Sequence, residues 1–127
     1  MAHVRALTTV WAVWAGLTAL AYIQGSEISQ LQPIVNIISP QWWSWLWGAA
    51  AALLTLGLAP WRGSGGARVV GLAVVAGLCT AWGASFTLMW IEGETTRGWV
   101  SAKNYGAQAA LAMGSAWWVS VRGRFDQ

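Results

Sequence analysis

Four long apolar blocks, separated by short polar segments, make up most of this chain. They cover residues 6–23, 42–59, 69–91 and 105–121, and none of them contains Asp, Glu, Lys, Arg or His. A helix needs about 20 predominantly apolar residues to cross the hydrocarbon core of a bilayer. A charged side chain at the bilayer centre costs about 2.5–3.5 kcal/mol on the mildest scale. The pattern therefore predicts an all-α membrane protein, a bundle of four transmembrane helices arranged as two hairpins.

The length of the chain leaves little outside these spans. Four spans and their connections account for the 127 residues, so we expect a single transmembrane domain over residues 1–127 and no soluble domain with its own core. The single cysteine, Cys79, lies inside the third block, where we interpret it as a small hydrophobic side chain.

Basic residues predict the orientation in the membrane, because Lys and Arg concentrate in short cytoplasmic segments. If the four spans alternate, one side receives only Arg97 and Lys103, which share a loop with Glu92 and Glu94. The other side receives five basic residues, namely Arg5, Arg62, Arg68, Arg122 and Arg124. We expect a multi-pass protein of the bacterial inner (cytoplasmic) membrane with both termini in the cytoplasm.

The first block also permits a rival interpretation as a cleaved signal peptide, with Ala19, Leu20 and Ala21 as the cleavage region. The apolar run of 18 residues exceeds the usual signal-peptide length of about 7–15. It also contains two tryptophans in its middle, and we favour a retained first span.

The segment between the first two spans has a helical pattern of its own. Ile28, Leu31, Val35 and Ile38 recur at spacings of three, four and three residues, whereas Pro33 limits any helix to a short or kinked one. This predicts a short segment that lies in the outer membrane interface on its apolar face. A loop buried over the bundle fits the same pattern.

Tryptophan is unusually abundant, with 12 in the chain. An indole combines an apolar ring with an N–H group that needs a polar partner, and this favours the headgroup zone of a membrane. We interpret nine of the twelve as interfacial anchors, not as an aromatic ligand site: Trp42, Trp43, Trp45, Trp47, Trp61, Trp90, Trp99, Trp117 and Trp118.

Small residues recur every fourth position in the third and fourth blocks. This spacing lets helices approach closely in a bilayer, where association depends on packing. Two interpretations stay open, namely packing within one copy of the chain and contact with other copies or other membrane helices. The stripes are Ala73, Gly77, Ala81 and Ser85 in the third block, Ala102, Gly106, Ala110 and Gly114 in and before the fourth, and a shorter one of Thr8, Ala12 and Gly16.

Most polar residues inside the blocks are Ser or Thr, whose hydroxyls can bond to the carbonyl four residues earlier in the same helix. Gln108 is the only amide well inside a block, and an unpaired amide is costly in an apolar medium. We expect Gln108 to form a polar contact between helices or to line a wet lumen.

Residues that carry out chemistry are scarce. The sequence contains no HExxH, paired CxxC or GxSxG motif and no phosphate-binding glycine loop. Glu92 and Glu94 lie in a short loop without a nearby histidine, since His3 is predicted on the opposite side. We predict no enzyme activity, catalytic residue, cofactor or metal site. The basic residues occur singly, which argues against nucleic-acid binding, and no substrate is identified.

The size, the four-span layout with both termini inside, the charge-free spans and the short basic tail at residues 122–127 together resemble phage holins. The likeness is greatest to the small four-span holin-like proteins of actinobacterial phages. It implies a protein that accumulates in the inner membrane, oligomerises, and opens lesions that release a muralytic enzyme or collapse the membrane potential. A second hypothesis is a non-enzymatic accessory or scaffold subunit of a larger membrane complex, and a small-molecule carrier is a third.

Overall fold

The computed structural model describes residues 2–23 and 37–125, with side chains described as far as residue 122. Within these ranges the chain forms four helices, which we name α1 (Ala2–Ile23), α2 (Pro40–Leu58), α3 (Ser64–Ile91) and α4 (Gly98–Phe125). The all-helical prediction with four main helices is confirmed. The segment predicted to lie in the membrane interface falls mostly on residues 24–36, outside the described residues.

Among the described helices, two are long and apolar enough to cross a membrane by length and composition, namely α1 and α3. The other two are less apolar for identifiable reasons. The first two turns of α2 contain Gln41 and four tryptophans, and α4 carries Lys103, Asn104 and Gln108 in its first half. The structure thus supports membrane association through two helices.

Several helix boundaries differ from those predicted. Helix α1 begins at Ala2 and α4 ends at Phe125, each four residues outside its apolar block. Helix α2 begins at Pro40, where Ser39 acts as N-cap and its hydroxyl accepts a bond from the Trp42 amide. Helix α3 begins at Ser64, five residues before the third apolar block, so Gly65 and Gly66 belong to its first turn. Helix α4 begins at Gly98, and Lys103 is therefore helical. An apolar block marks only the part of a helix that is compatible with a membrane. The helix itself is longer, because its backbone hydrogen bonds continue into the neighbouring polar residues.

The connection between α3 and α4 is a tight turn at residues 92–97. Gly93 has φ +76°, the left-handed conformation that commonly ends a helix. The Gly93 amide donates to Trp90 O and the Glu94 amide donates to Met89 O, at 3.2 and 3.0 Å. These bonds satisfy carbonyls that the end of α3 would otherwise leave open.

Successive helices pack side by side in antiparallel pairs, α1 with α2, α2 with α3, and α3 with α4. Helix α1 also reaches α4, because Trp11 Nε1 donates to Ser115 Oγ at 3.3 Å. Helices α1 and α3 also touch at a few positions. The four helices therefore form an antiparallel bundle in which α1 and α3 run in the same direction.

Two glycines on α3 allow close approaches to neighbouring helices. A Cβ atom added to Gly71 on α3 would lie 2.8 Å from Leu54 Cγ and 3.2 Å from the Leu54 amide nitrogen on α2. A Cβ on Gly83 would lie 3.5 Å from the Ala102 carbonyl oxygen and 3.6 Å from the Gly106 amide nitrogen on α4. Neither glycine belongs to the stripes predicted from the sequence.

Two arginines fix α1 and α3 to the same end of α2. Arg5 Nη2 donates to the Leu58 carbonyl at 3.2 Å, and Arg68 Nε donates to the Gly57 carbonyl. The last carbonyls of a helix lack partners within the helix and carry partial negative charge, which favours a guanidinium there. Arg5 and Arg68 therefore mark the same level along the bundle.

Candidate functional site: an aromatic core and two outward small-residue faces

The indole of Trp82 on α3 is the centre of a buried aromatic cluster. Its ring centroid lies 4.5 Å from that of Tyr105, 5.3 Å from Trp47, 5.5 Å from Tyr22 and 6.1 Å from Trp43. These partners come from α1, α2 and α4, so a single side chain contacts the other three helices. Such aromatic pairs contribute about 0.5–1.5 kcal/mol each beyond the area they bury.

The cluster continues in both directions from Trp82. Towards α1, Trp14 packs edge-on against Trp47 at 5.1 Å and Trp11 against Trp14 at 5.9 Å. On the other side, Phe86 stacks on Tyr105 at 5.6 Å with nearly parallel rings. The interior of the bundle is thus held together by a continuous series of aromatic contacts, which we call the aromatic core.

The prediction that Trp43 and Trp47 are interfacial anchors is wrong. They are 3% and 0% exposed, respectively, and belong to the aromatic core. Positions 43 and 47 are one turn apart and share the face of α2 that packs on α3, whereas Trp42 and Trp45 lie on its outer faces. Seven of the predicted anchors are exposed: Trp42, Trp45, Trp61, Trp90, Trp99, Trp117 and Trp118.

The importance of Trp82 was not predicted from the sequence, although a signal for it exists. Leu72, Val75, Cys79, Trp82 and Phe86 recur at spacings of three and four residues. This row of mostly large residues lies on a different face of α3 from the small-residue stripe, and a row of that kind indicates the side that packs in the core.

Several polar atoms in this interior have no hydrogen-bond partner among the described residues. They are Nε1 of Trp43, Trp47 and Trp82 and Oγ of Ser85. Unpaired buried donors reduce stability, so the rings of the aromatic core contribute through packing and not through their N–H groups. Ser85, predicted as part of the α3 stripe, is 1% exposed and lies in this interior.

Gln108 makes a polar contact between helices, one of the two roles predicted for it. Cys79 Sγ on α3 lies 3.9 Å from Gln108 Oε1 on α4. Cys79 is fully buried, as expected for a small hydrophobic side chain, and Gln108 is half-buried.

The prediction for hydroxyl groups is also confirmed. Each of the following donates to the carbonyl four residues earlier: Thr8, Thr9, Thr18, Thr55, Thr80, Thr87 and Ser115. Ser44 is an exception, since it donates across to the Ala19 carbonyl on α1 at 3.1 Å.

The two long small-residue stripes lie mainly on the outside of the bundle. Ala73 and Gly77 on α3 are exposed and Ala81 is half-buried, while Gly106, Ala110 and Gly114 on α4 are exposed and Ala102 is half-buried. A Cβ added to Gly77, Gly106 or Gly114 would meet nothing within 4 Å. The short α1 stripe behaves differently, because a Cβ on Gly16 would lie 3.9 Å from Ala51 Cβ on α2. Four residues of the long stripes, Ala73, Gly77, Ala110 and Gly114, are therefore exposed and free of the close approaches inside one copy. The other four contribute to packing within the copy: Ser85 is buried, Ala81 packs against the core, and the backbones of Ala102 and Gly106 face Gly83 on α3.

Three residues of the α3 stripe, Ala73, Gly77 and Ala81, line an open groove of about 640 Å³ between α3 and α4. Small side chains form most of its surface, and Met113 on α4 closes one side. Thr80 is polar, but its hydroxyl already donates to the Ala76 carbonyl at 2.8 Å. We call this feature the small-residue groove; it is lined by Ala73, Ala76, Gly77, Thr80, Ala81, Ala84, Met113 and Ala116.

Cationic side chains at both ends of the bundle lie over exposed indoles. Lys103 Nζ is 5.6 Å from the ring centroid of Trp99, and Arg122 Cζ is 4.7 Å from that of Trp118. The loop residues Glu92, Glu94 and Arg97 at the first of these ends are exposed. Long cationic side chains and tryptophans occur together where a protein meets the membrane interface.

Comparison of this chain with protein-family models, with curated proteins and with solved structures gave no match in any of the three.

Proposed function

We propose that this chain is a four-span protein of the bacterial inner membrane, with both termini in the cytoplasm, that self-associates and forms holin-like lesions or channels. The observation that carries this proposal is the outward orientation of the small-residue stripes. Lipid tails are as apolar as leucine, so helices associate in a bilayer through close packing of small residues and not through a hydrophobic driving force. Small residues left open on the outside of one copy are surfaces where a second helix can approach.

The distribution of charge supports four spans. Arg68 is bonded at one end of the bundle and Glu92 follows the last residue of α3. The 24 steps from Arg68 to Glu92 cover about 36 Å at 1.5 Å per residue, which is enough for a hydrocarbon core of about 30 Å. Charged residues thus occur on both sides of a belt that matches a bilayer.

The outer surface of this belt is apolar on all four helices. Large hydrophobic side chains are exposed on each of them, among others Val13, Leu17, Leu46, Leu56, Val70, Leu88, Leu111 and Met113. Monomeric soluble proteins rarely expose contiguous apolar patches of more than a few hundred Å². In addition, only 28% of the apolar window of α1 is buried inside the bundle, unlike the core helix of a soluble protein.

Controlled expression in a bacterium that carries a potential-sensitive dye tests this function. The proposal predicts a loss of membrane potential and of viability once the protein accumulates in the membrane. An undisturbed potential at high membrane levels of the protein would refute the lesion-forming function. Gentle solubilisation and sizing address the alternative: a ladder of self-oligomers agrees with the proposal, whereas co-migration with unrelated subunits points to an accessory subunit of a larger complex.

A further inference from the structure

We propose that the end of the bundle that carries Arg5 and Arg68 binds a phosphate group, and that the headgroup of an anionic phospholipid supplies it. The site is an open cavity of about 530 Å³ between the start of α1, the turn after α2 and the start of α3. We call it the arginine cavity. It relies on the membrane placement proposed above, but it requires neither self-association nor lesion formation.

Three arginines from three segments of the chain line this cavity, namely Arg5 on α1, Arg62 in the turn and Arg68 on α3. Like charges that lie close together repel each other. Among the described residues the acidic side chains are Glu92 and Glu94, which follow the far end of α3. Guanidinium groups bind phosphate oxygens through parallel N–H bonds, so a phosphate is the anion that complements this cavity.

The last turn of α2 holds the walls of the arginine cavity in place. Trp61 Nε1, Arg68 Nε and Arg5 Nη2 donate to the carbonyls of residues 56, 57 and 58, respectively. The distances are 2.8 Å for Trp61 and 3.2 Å for Arg5. Three consecutive carbonyls thus each bind a side chain from a different segment. Each guanidinium has further N–H groups beyond the one used here, and these remain for a ligand.

Two glycines place the same side chains against the backbone. A Cβ atom added to Gly57 would collide with Arg68 Cγ, and one added to Gly63 would collide with the ring of Trp61. Arg68 and Trp61 are therefore positioned by packing as well as by hydrogen bonds. A site whose side chains are already fixed loses less conformational entropy when a ligand binds.

The backbone at the start of α3 adds to the attraction for an anion. Gly63 is the N-cap residue without a side-chain cap, and Ser64 lines the cavity. The first amides of a helix lack partners within the helix and carry partial positive charge, which favours a phosphate there. Cβ atoms on Gly65 and Gly66 would meet nothing within 4 Å, so a ligand can approach this backbone.

The depth of the arginine cavity favours a lipid headgroup as the source of the phosphate. Arg5 and Arg68 directly precede the first and third apolar blocks, so their charges lie where the hydrocarbon core ends. Trp61 is 51% exposed at this level, and tryptophan is enriched at the headgroup zone. Basic pockets between membrane helices on the cytoplasmic side bind anionic headgroups. The proposed topology places this end of the bundle on that side.

Thermal unfolding of the purified protein in mild detergent tests the site, because a ligand that binds the folded state raises Tm. The probes are short-chain phosphatidylglycerol, phosphatidylcholine with the same chains, and inorganic phosphate. We expect phosphatidylglycerol to raise Tm saturably and at lower concentration than either of the others. Arg62→Gln should weaken its apparent affinity about tenfold. Arg62 is exposed and takes no part in the three bonds to α2, so this variant keeps the fold.

Arg97→Gln is the matched control, since it removes the same charge from the exposed loop after α3, and it should bind phosphatidylglycerol as the natural chain does. Equal affinity for the two lipids, or equal affinity of Arg62→Gln and Arg97→Gln for phosphatidylglycerol, would overturn the site. Inorganic phosphate that binds as tightly as phosphatidylglycerol and competes with it would overturn the lipid as the source.

Arg5→Gln distinguishes binding from a structural role. If Arg5 served only to hold α1 on α2, the variant would lower Tm without lipid and leave the affinity for phosphatidylglycerol unchanged, which would contradict its place in the site. We expect the affinity to fall about tenfold as well. None of these measurements depends on the membrane potential, so a failure of the lesion-forming function and a failure of the arginine cavity are distinguishable.

Discussion

Trp82 on α3 packs edge-on against Tyr105 on α4, with ring centroids 4.5 Å apart. This contact joins the two helices of the second hairpin at the point where Trp47 and Tyr22 bring in the first hairpin. The fold therefore depends on one large side chain more than on any of the exposed tryptophans.

Replacement of Trp82 by Ala is expected to destabilise the bundle by about 3–5 kcal/mol, because it leaves a cavity between four helices. Trp82→Phe is the matched control, since it keeps an aromatic ring and removes an N–H group that has no partner among the described residues. We expect Trp82→Phe to lower the stability of the bundle far less than Trp82→Ala does. Thermal unfolding in detergent, followed by circular dichroism, measures both changes, and equal losses would argue against packing as the basis of the stability.

Gly71 and Gly77 lie on one helix but are predicted to serve different contacts. Gly71→Leu should unfold or distort the monomer, because even a Cβ there would lie 2.8 Å from Leu54 Cγ. Gly77→Leu should leave the thermal stability of the monomer unchanged and abolish self-association, since its Cβ position is open within one copy. Sizing in mild detergent and thermal unfolding together separate the two outcomes.

Gly48→Leu on α2 is the control for this pair, because its Cβ also meets nothing within 4 Å. It adds the same side chain outside the small-residue groove, and we expect neither thermal stability nor self-association to change. If Gly77→Leu and Gly48→Leu self-associate equally well, the α3 stripe is only a consequence of an Ala- and Gly-rich composition.

Gln108→Leu tests the contact with Cys79. Hydrogen bonds between membrane helices contribute about 0.6 kcal/mol on average, and the 3.9 Å contact to sulfur is a weak one. We expect a loss of stability below about 1 kcal/mol and an unaltered permeability of membranes that contain the variant. A large change in ion leakage would instead place Gln108 on the wall of a water-filled path.

Cysteine labelling of intact cells tests the topology. Gly65→Cys should resist a membrane-impermeant thiol reagent added from outside, because it lies at the end of the bundle that carries Arg62 and Arg68. Arg97→Cys, in the exposed loop after α3, should react readily. Labelling of Gly65→Cys from outside would show that this end of the bundle is not cytoplasmic and would contradict the proposed topology.

The sequence predicts where the helices of this fold lie better than it predicts which side of each helix is buried. The apolar blocks located four helices, and the local bonds of Thr80 and Ser115 followed from helix geometry alone. A block that is apolar on all sides, however, has little periodicity to show which side is buried. Trp43 and Trp47 illustrate this, since an indole suits both a membrane interface and a protein core.

For a related reason, the sequence does not show whether the small-residue stripes face the inside or the outside of the bundle. Glycine and alanine permit close approach without specifying the partner, so Gly77 and Gly16 have the same sequence signal. Only the positions of neighbouring atoms distinguish them. Gly16 faces Ala51 within the copy, whereas Gly77 faces open space.

Membrane potential at matched expression of three proteins tests the central claim most directly. The natural chain and Gly48→Leu should both depolarise the bacterial membrane, whereas Gly77→Leu should reach the same membrane level and leave the potential intact. Equal depolarisation by all three proteins would contradict self-association through the α3 face, and an intact potential with all three would contradict the lesion-forming function.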